Sequence, residues 1–282
     1  MKWFGVLLGL VLWVTSPALS ASADEADAHY RLARTLRDQG DYEKALVEID
    51  AAIAARPTYA QGHLTRGSIL RRLGRYEEAL SSFERAIELE PKSGSAYGLA
   101  GAVLLRLDRP KKAIPYLRKA TELEPKHENH WLNLGVAYRK AGDNDAAIAA
   151  YEKGLEHHPN DPQLLNNLGV ALRKAQRYDE AIRAHERAVD ADPYDPVSAR
   201  NLAIAYRGAK RYKDAIPIYI KAIELGEGGP PDLLFDLASC YEKVGDTQSA
   251  IETFEAYIRA VHKTDPDAAA RAERAVSNLK KQ

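Results

Sequence analysis

Cysteine is almost absent from this sequence, since Cys240 is the only one in 282 residues. An intramolecular disulfide is therefore excluded, and packing alone must hold the fold together. An excess of charge is also absent, because 40 basic residues balance 40 acidic ones. This balance argues against a nucleic-acid-binding protein, which needs a basic surface to neutralise phosphates.

Recognisable catalytic and metal-binding motifs are also lacking. The chain has no phosphate-binding loop, nucleophile elbow or paired-carboxylate site in a separate domain. Two histidine pairs are present, His127 with His130 and His157 with His158, but we find no cysteine or acidic residues at dependable ligand spacing from either pair. We therefore expect no enzyme activity, no metal site and no cofactor.

The first 23 residues differ in kind from the rest. Lys2 precedes an apolar run over residues 3–14, and Pro17 and the small residues 21–23 follow it. This order is typical of a signal peptide, so we predict cleavage after Ala23 and export, with no membrane span in the mature chain. The alternative is an uncleaved membrane anchor, because the short apolar run is extended by the alanines and serines after it.

The chain from Ala26 onward repeats with a period of 34 residues. In each unit apolar residues recur at helical spacing, stop at a turn and resume, which predicts two antiparallel helices. We predict that the repeats occupy residues 24–264 and that a capping helix follows over residues 265–282. The seven units begin at Ala26, Ala60, Gly94, Glu128, Pro162, Pro196 and, after one extra residue, Pro231.

Two positions of the unit predict close helix packing. Position 20 is alanine in all seven units, and a larger side chain at a helix crossing would push the two backbones apart. Position 8 is always small. It holds Ala33, Gly67, Gly101, Gly135, Gly169, Ala203 and Ala238.

One unit carries a pattern that resembles a known family. Its residues are Trp131, Leu134, Gly135, Tyr138, Ala147, Tyr151, Gly154 and Pro159. Their order and spacing resemble the tetratricopeptide repeat (TPR). The resemblance implies an all-α fold, an α-solenoid with a right-handed superhelix of about seven helix-turn-helix repeats. It also implies that the first helices line a concave surface that binds an extended peptide or a helix of a partner protein.

We expect the partner-binding residues on the first helices of units four to six. Positions 6, 9 and 12 of these units lie at helical spacing on one face. They offer amides that can bond a peptide backbone, an apolar floor and a cationic rim suited to acidic groups. The predicted set is Asn133, Val136, Arg139, Asn167, Val170, Arg173, Asn201, Ile204 and Arg207.

Two questions stay open at this stage. The arginines at position 12 lie in the last turn of a helix, where the macrodipole favours a cation even without a ligand. The chain is either an adaptor that binds a protein partner, which we favour, or a scaffold that self-associates through an end or a convex face. The short signal, the absence of N-x-S/T acceptors and the Ala- and Arg-rich repeats resemble bacterial envelope proteins, so we expect an adaptor in the periplasm, serving complex assembly, or secreted.

Overall fold

The computed structural model describes residues 17–226 and 229–281, which form fifteen α-helices and no strand. The chain divides into two compact units, Met1–Asp108 and Arg109–Gln282. The first unit contains α1 (Pro17–Asp38), α2 (Tyr42–Ala55), α3 (Ala60–Arg72), α4 (Tyr76–Leu89) and α5 (Gly94–Arg106). The second contains α6 (Pro110–Leu123), α7 (Glu128–Ala141), α8 (Asn144–His157), α9 (Pro162–Lys174), α10 (Tyr178–Ala191), α11 (Pro196–Gly208), α12 (Tyr212–Leu225), α13 (Asp232–Val244), α14 (Thr247–Val261) and α15 (Pro266–Leu279).

Helices pack in sequence order within each unit. In the first unit α1 packs on α2 and α3 on α4, and in the second α7 packs on α8, α9 on α10 and α11 on α12. The predicted all-α architecture of helical pairs is confirmed. Five helix starts share one cap, in which an aspartate side chain accepts a hydrogen bond from a backbone N–H of the first turn. These caps are Asp143, Asp161, Asp195, Asp246 and Asp265.

The small residues at position 8 allow a ring to lie directly on the helix backbone. A Cβ added at Gly67 would lie 2.6 Å from Phe83, and one added at Gly169 would lie 2.5 Å from His185. Gly135 meets Tyr151 in the same way. In each case the ring comes from the second helix of the same pair, so the glycine sets how closely the two helices approach.

The residue at position 15 of each repeat follows the first helix and adopts the left-handed conformation. Its φ is positive in all seven units, at Gly40, Gly74, Asp108, Gly142, Gln176, Lys210 and Gly245. In the turn after α9, the N–H of Gln176 bonds the carbonyl of Arg173 and the N–H of Arg177 bonds that of Leu172. This is the pattern that reverses the chain after a helix, and it requires a positive φ at this residue.

The last helix covers the end of the repeats. α15 packs against α14, and Ala269, Ala272 and Val276 are buried in a cluster with Phe254 and Tyr257. Its opposite face carries exposed charged residues such as Arg271, Glu273 and Arg274. The helix therefore buries the apolar side of α14, as the end of a solenoid needs.

Most of the predicted signal peptide, residues 1–16, lies outside the described residues. The predicted cleavage point after Ala23 falls within α1. None of the helices in the described ranges is both long and apolar enough to cross a membrane. The isolated cysteine, Cys240, is fully buried, and burial raises the pKa of its thiol to about 11.

Candidate functional site

The nine predicted partner-binding residues lie on α7, α9 and α11, three on each helix. The helix α9 packs beside both α7 and α11, so the three helices form one continuous row in the second unit. All nine side chains are half-buried. Half-burial leaves part of each side chain available to a ligand while its neighbours hold it in place.

The three asparagines differ in what they already bind. The side-chain amide of Asn167 donates a hydrogen bond to the carbonyl oxygen of Gln163, 2.8 Å away on the same helix. Asn133 and Asn201 make no side-chain hydrogen bond to any other described residue. Asn133 and Asn201 therefore keep both their donor and their acceptor for a ligand, whereas Asn167 has committed a donor to its helix.

The arginines at position 12 are partly used inside the protein. Arg207 forms an ion pair with Asp236, with 3.1 Å between Nη1 and Oδ1. The Tyr219 hydroxyl donates a hydrogen bond to the same carboxylate at 3.2 Å. Burial raises the pKa of Asp236, and the charge of Arg207 opposes this rise. Arg207 is therefore anchored by α13, the first helix of the next pair.

A pocket of about 380 Å³ opens at the C-terminal ends of α9 and α11. It contains three of the predicted residues, Arg173, Ile204 and Arg207. The others that line it are Tyr178, Gly208, Tyr212, Ser239 and Lys243. The other six predicted residues are not among its walls, so the structure gathers only part of the predicted set around one cavity. These six are Asn133, Val136, Arg139, Asn167, Val170 and Asn201.

The pocket has a surplus of positive charge. Arg207 is paired with Asp236, but Arg173 and Lys243 have no carboxylate partner among the residues the structure describes. Two tyrosine rings complete the wall, and Tyr178 lies against Gly208, where an added Cβ would be 2.7 Å from its ring. The pocket is therefore suited to an anionic group that carries some apolar surface.

Tyr178 and Tyr212 were missed by the sequence analysis. Both are the first residue of a second helix, and both hold position 17 of their units. Tyr42 and Tyr76 occupy the same position of the first two repeats. The recurrence of tyrosine at this position could have indicated a shared role. The 34-residue period does not show, however, that the first residue of a second helix lies next to the predicted binding face of the first helices.

A chain of hydrogen-bonded polar side chains links α10, α9 and α11. The ring of His185 faces Asn166, with 3.2 Å between Nδ1 and Oδ1. The amide of Asn166 donates to the Ser198 hydroxyl at 2.6 Å, and that hydroxyl donates to Asp195 at 2.5 Å. Because the Asn166 oxygen can only accept, Nδ1 carries the proton, and Nε2 is left buried without a partner.

The chemistry of His185 follows from this burial. Burial and, to a smaller extent, the positive charge of Arg173 lower the pKa of His185 to about 4. The ring is therefore neutral near pH 7. Arg173 thus contributes to two features, since it lines the pocket and its charge also disfavours protonation of His185.

Three potential metal-ligating side chains meet where α6 ends and α7 begins. The Nε2 atom of His130 lies 3.1 Å from Oε2 of Glu124, and the rings of His127 and His130 stack with centroids 4.1 Å apart. One ligand atom from each of the three lies within 4.8 Å of the others. Ligand spacing in the sequence did not indicate this acidic partner for the histidine pair, because Glu124 lies at the end of the preceding helix.

The repeat pattern of the chain matches established family models. Models of the tetratricopeptide repeat match residues 26–59, residues 64–128 with 132–196, and residues 194–261. Together they cover most of the sequence. No curated protein sequence matches the chain.

Solved structures share the fold at low sequence identity. A part of a TPR repeat-containing protein from Cytophaga hutchinsonii has a TM-score of 0.70 at 20% identity, covering 85% of this chain and 97% of that one. PilF of Pseudomonas aeruginosa has a TM-score of 0.63 at 17% identity, covering 78% and 97%. YrrB, described as a TPR protein with an unusual peptide-binding site, has a TM-score of 0.57 at 23% identity, covering 66% and 97%.

Proposed function

Because the chain belongs to the tetratricopeptide-repeat family, we propose that it is an adaptor that binds an extended segment of a partner protein along α7, α9 and α11. Proteins of this family act in protein–protein interactions, and the fold typically serves as a scaffold rather than as a catalyst. The peptide-binding site described for YrrB supports a peptide as the ligand, although at 23% identity that likeness concerns the fold.

The pocket between α9, α11 and α13 supports an acidic group in the bound segment. The observation that carries this proposal is that Arg173 and Lys243 line the pocket without carboxylate partners among the described residues. A side-chain carboxylate or a C-terminal carboxylate entering here would form charge-assisted hydrogen bonds with these two cations. Asn201, on the same helix as Arg207, would bond the peptide backbone beside it.

Peptide arrays test this proposal with acidic peptides and charge-reversed peptides of equal length. We expect the acidic set to bind the wild-type chain, and the double change Arg173→Ala with Lys243→Ala to weaken binding about tenfold or more. The lost contact of the half-buried Arg173 with a charge contributes on the order of 1.5 kcal/mol, a factor of about ten, and the contact of the exposed Lys243 adds less. The matched control is Arg183→Ala with Lys213→Ala, which removes the same charge from exposed positions of α10 and α12.

Two results would count against the acidic-peptide site. One is equal binding of acidic and basic peptides, and the other is an equal loss in the control variant. The asparagines are tested by changing Asn133, Asn167 and Asn201 together to alanine, with circular dichroism to show that the helices persist. If the chain instead acts as a self-associating scaffold, its mass by light scattering will rise with concentration and this triple change will not alter the rise.

We also propose that the adaptor acts in the bacterial envelope, in the assembly of a complex. The support is the signal-like order of residues 1–23, with its apolar run and small residues before Asp24. Intact mass of the protein from an exporting host tests this. A mature chain starting at Asp24 is expected, whereas an exported chain that retains Met1 would contradict cleavage.

A further inference from the structure

We propose that Glu124, His127 and His130 form a binding site for a divalent transition metal of the Zn²⁺ class at the junction of α6 and α7. The site is independent of the peptide-binding proposal, because none of its residues lines the pocket near Arg173. Imidazole nitrogens with a carboxylate oxygen are a ligand set that zinc and its neighbours in the first transition row accept.

The backbone explains why residues three apart converge here. The N–H of His127 bonds the carbonyl of Glu124, and the N–H of His130 bonds the carbonyl of His127. These are two single turns that share His127, and they fold the connection so that one ligand atom from each of the three residues lies within 4.8 Å of the others. Glu124, His127 and His130 therefore share one side of the connection, although a helix boundary separates the first from the last.

Neighbouring side chains hold this connection in place. The indole N–H of Trp131 donates to the carbonyl oxygen of Pro125 at 2.7 Å. The ring of His158, from the end of α8, donates to the carbonyl oxygen of Lys126, also at 2.7 Å. Both carbonyls belong to the segment between Glu124 and His127, so a ligand would meet a largely pre-formed site and lose little entropy in ordering it.

The distances suit a tetrahedral ion. Zinc binds histidine nitrogen and carboxylate oxygen at about 2.0–2.2 Å, which sets two ligands of a tetrahedron roughly 3.3 Å apart. The 3.1 Å between Glu124 Oε2 and His130 Nε2 is close to that separation. His130 is 4% exposed and fixed by packing, whereas His127 is exposed, so the His127 ring can turn to complete the set.

Three protein ligands leave a fourth position for water or for a donor from a bound partner. The bound ion would tie the last residue of one helical pair to the first turn of the next. Metal binding is therefore expected to stabilise this junction, because the ion binds the folded chain and not the unfolded one.

Zinc titration by calorimetry tests the site, using the full chain without a histidine tag after dialysis against a chelator. We expect one Zn²⁺ per chain and a visible absorption band of tetrahedral type when Co²⁺ replaces it. The variants His127→Gln and Glu124→Gln should each weaken zinc binding at least about tenfold, since even outer-shell changes cost that much. His127 is exposed, so its variant should keep the helical circular dichroism of the wild type.

The matched control is His157→Gln, which removes an exposed histidine from the other pair. It should bind zinc as the wild type does, and zinc should raise the Tm of both but not of His127→Gln. The site is refuted if the wild type binds no zinc, if His127→Gln binds it equally well, or if His157→Gln loses as much affinity as His127→Gln.

Discussion

Two helix pairs make the same glycine–ring contact with rings of different polarity. In one pair Gly67 contacts Phe83, and in the other Gly169 contacts His185. In both, a ring of the second helix lies on a glycine of the first, with almost equal distances from an added Cβ, 2.6 and 2.5 Å. Phe83 is apolar and fully buried. His185 is just as buried but is polar, and its Nε2 has no hydrogen-bond partner within the described part of the chain.

The comparison shows that the close packing of the two helices of a repeat does not depend on the polarity of the ring at the contact. The two pairs show that the crossing needs a flat ring and a residue without a side chain. It does not need the ring to be apolar, provided that Nδ1 of the histidine is hydrogen-bonded, as it is to Asn166. The contact with His185 therefore places a titratable group in the core, whereas the contact with Phe83 does not.

The largest effect is expected from filling the glycine of either contact. Gly67→Val and Gly169→Val should each lower the free energy of unfolding by about 3 kcal/mol or more, because a branched side chain would overlap a fully buried ring. Urea unfolding followed by circular dichroism measures this. Ala203→Gly, at the same position of the unit in α11, is the control and should cost only about 1 kcal/mol from helix propensity. A loss for Gly169→Val no larger than the control would show that the rings can move aside.

The second prediction distinguishes the two contacts by pH. The pKa of His185 is lowered from 6.5 to about 4, so between these values the unfolded chain binds a proton that the folded chain does not. Its contribution to stability is intact above pH 6.5 and decreases as the pH falls towards 4. The loss is about 3 kcal/mol in all, at roughly 1.4 kcal/mol for each pH unit.

The variant His185→Phe tests the pH prediction, because it gives the second unit the ring that Phe83 provides in the first. Its absolute stability will also change, since Asn166 loses a partner, so the quantity to compare is the slope. From pH 6.5 to 4 the wild type should lose more stability than the variant. Parallel curves for the two proteins would mean that His185 is protonated in the folded state as easily as in the unfolded one.

The smallest effect concerns the turns that follow the two glycine-bearing helices. Gly74 ends α3 with φ of 75° and Gln176 ends α9 with φ of 61°. A side chain in this left-handed conformation costs roughly 1–2 kcal/mol, partly offset by the entropy that glycine loses on folding. Gly74→Gln should therefore destabilise the chain by about 1 kcal/mol, and Gln176→Gly should stabilise it by up to about 1 kcal/mol in thermal unfolding. Changes of the same sign in both variants would contradict this account.

The fold was largely predictable, whereas the candidate site was predictable only in part. The alanines at position 20 and the small residues at position 8 indicated paired helices, because such positions report local spacing and close approach. The same reasoning placed Arg173, Ile204 and Arg207 on the face where a pocket exists. It did not find Tyr178, Tyr212 or Lys243, since these reach the pocket from other helices and from a neighbouring pair.

The sequence by itself determined the helices, their pairing and the face of α7, α9 and α11 that carries the asparagines. A 34-residue period is enough for this, because helix formation and crossing depend on residues close together in the chain. Only the tertiary structure decided that Asp236 neutralises Arg207, that Asn166 and Ser198 support His185, and that Glu124 joins His127 and His130. Each of these links two helices, and the geometry of such a contact depends on how neighbouring helices pack, which periodicity does not specify.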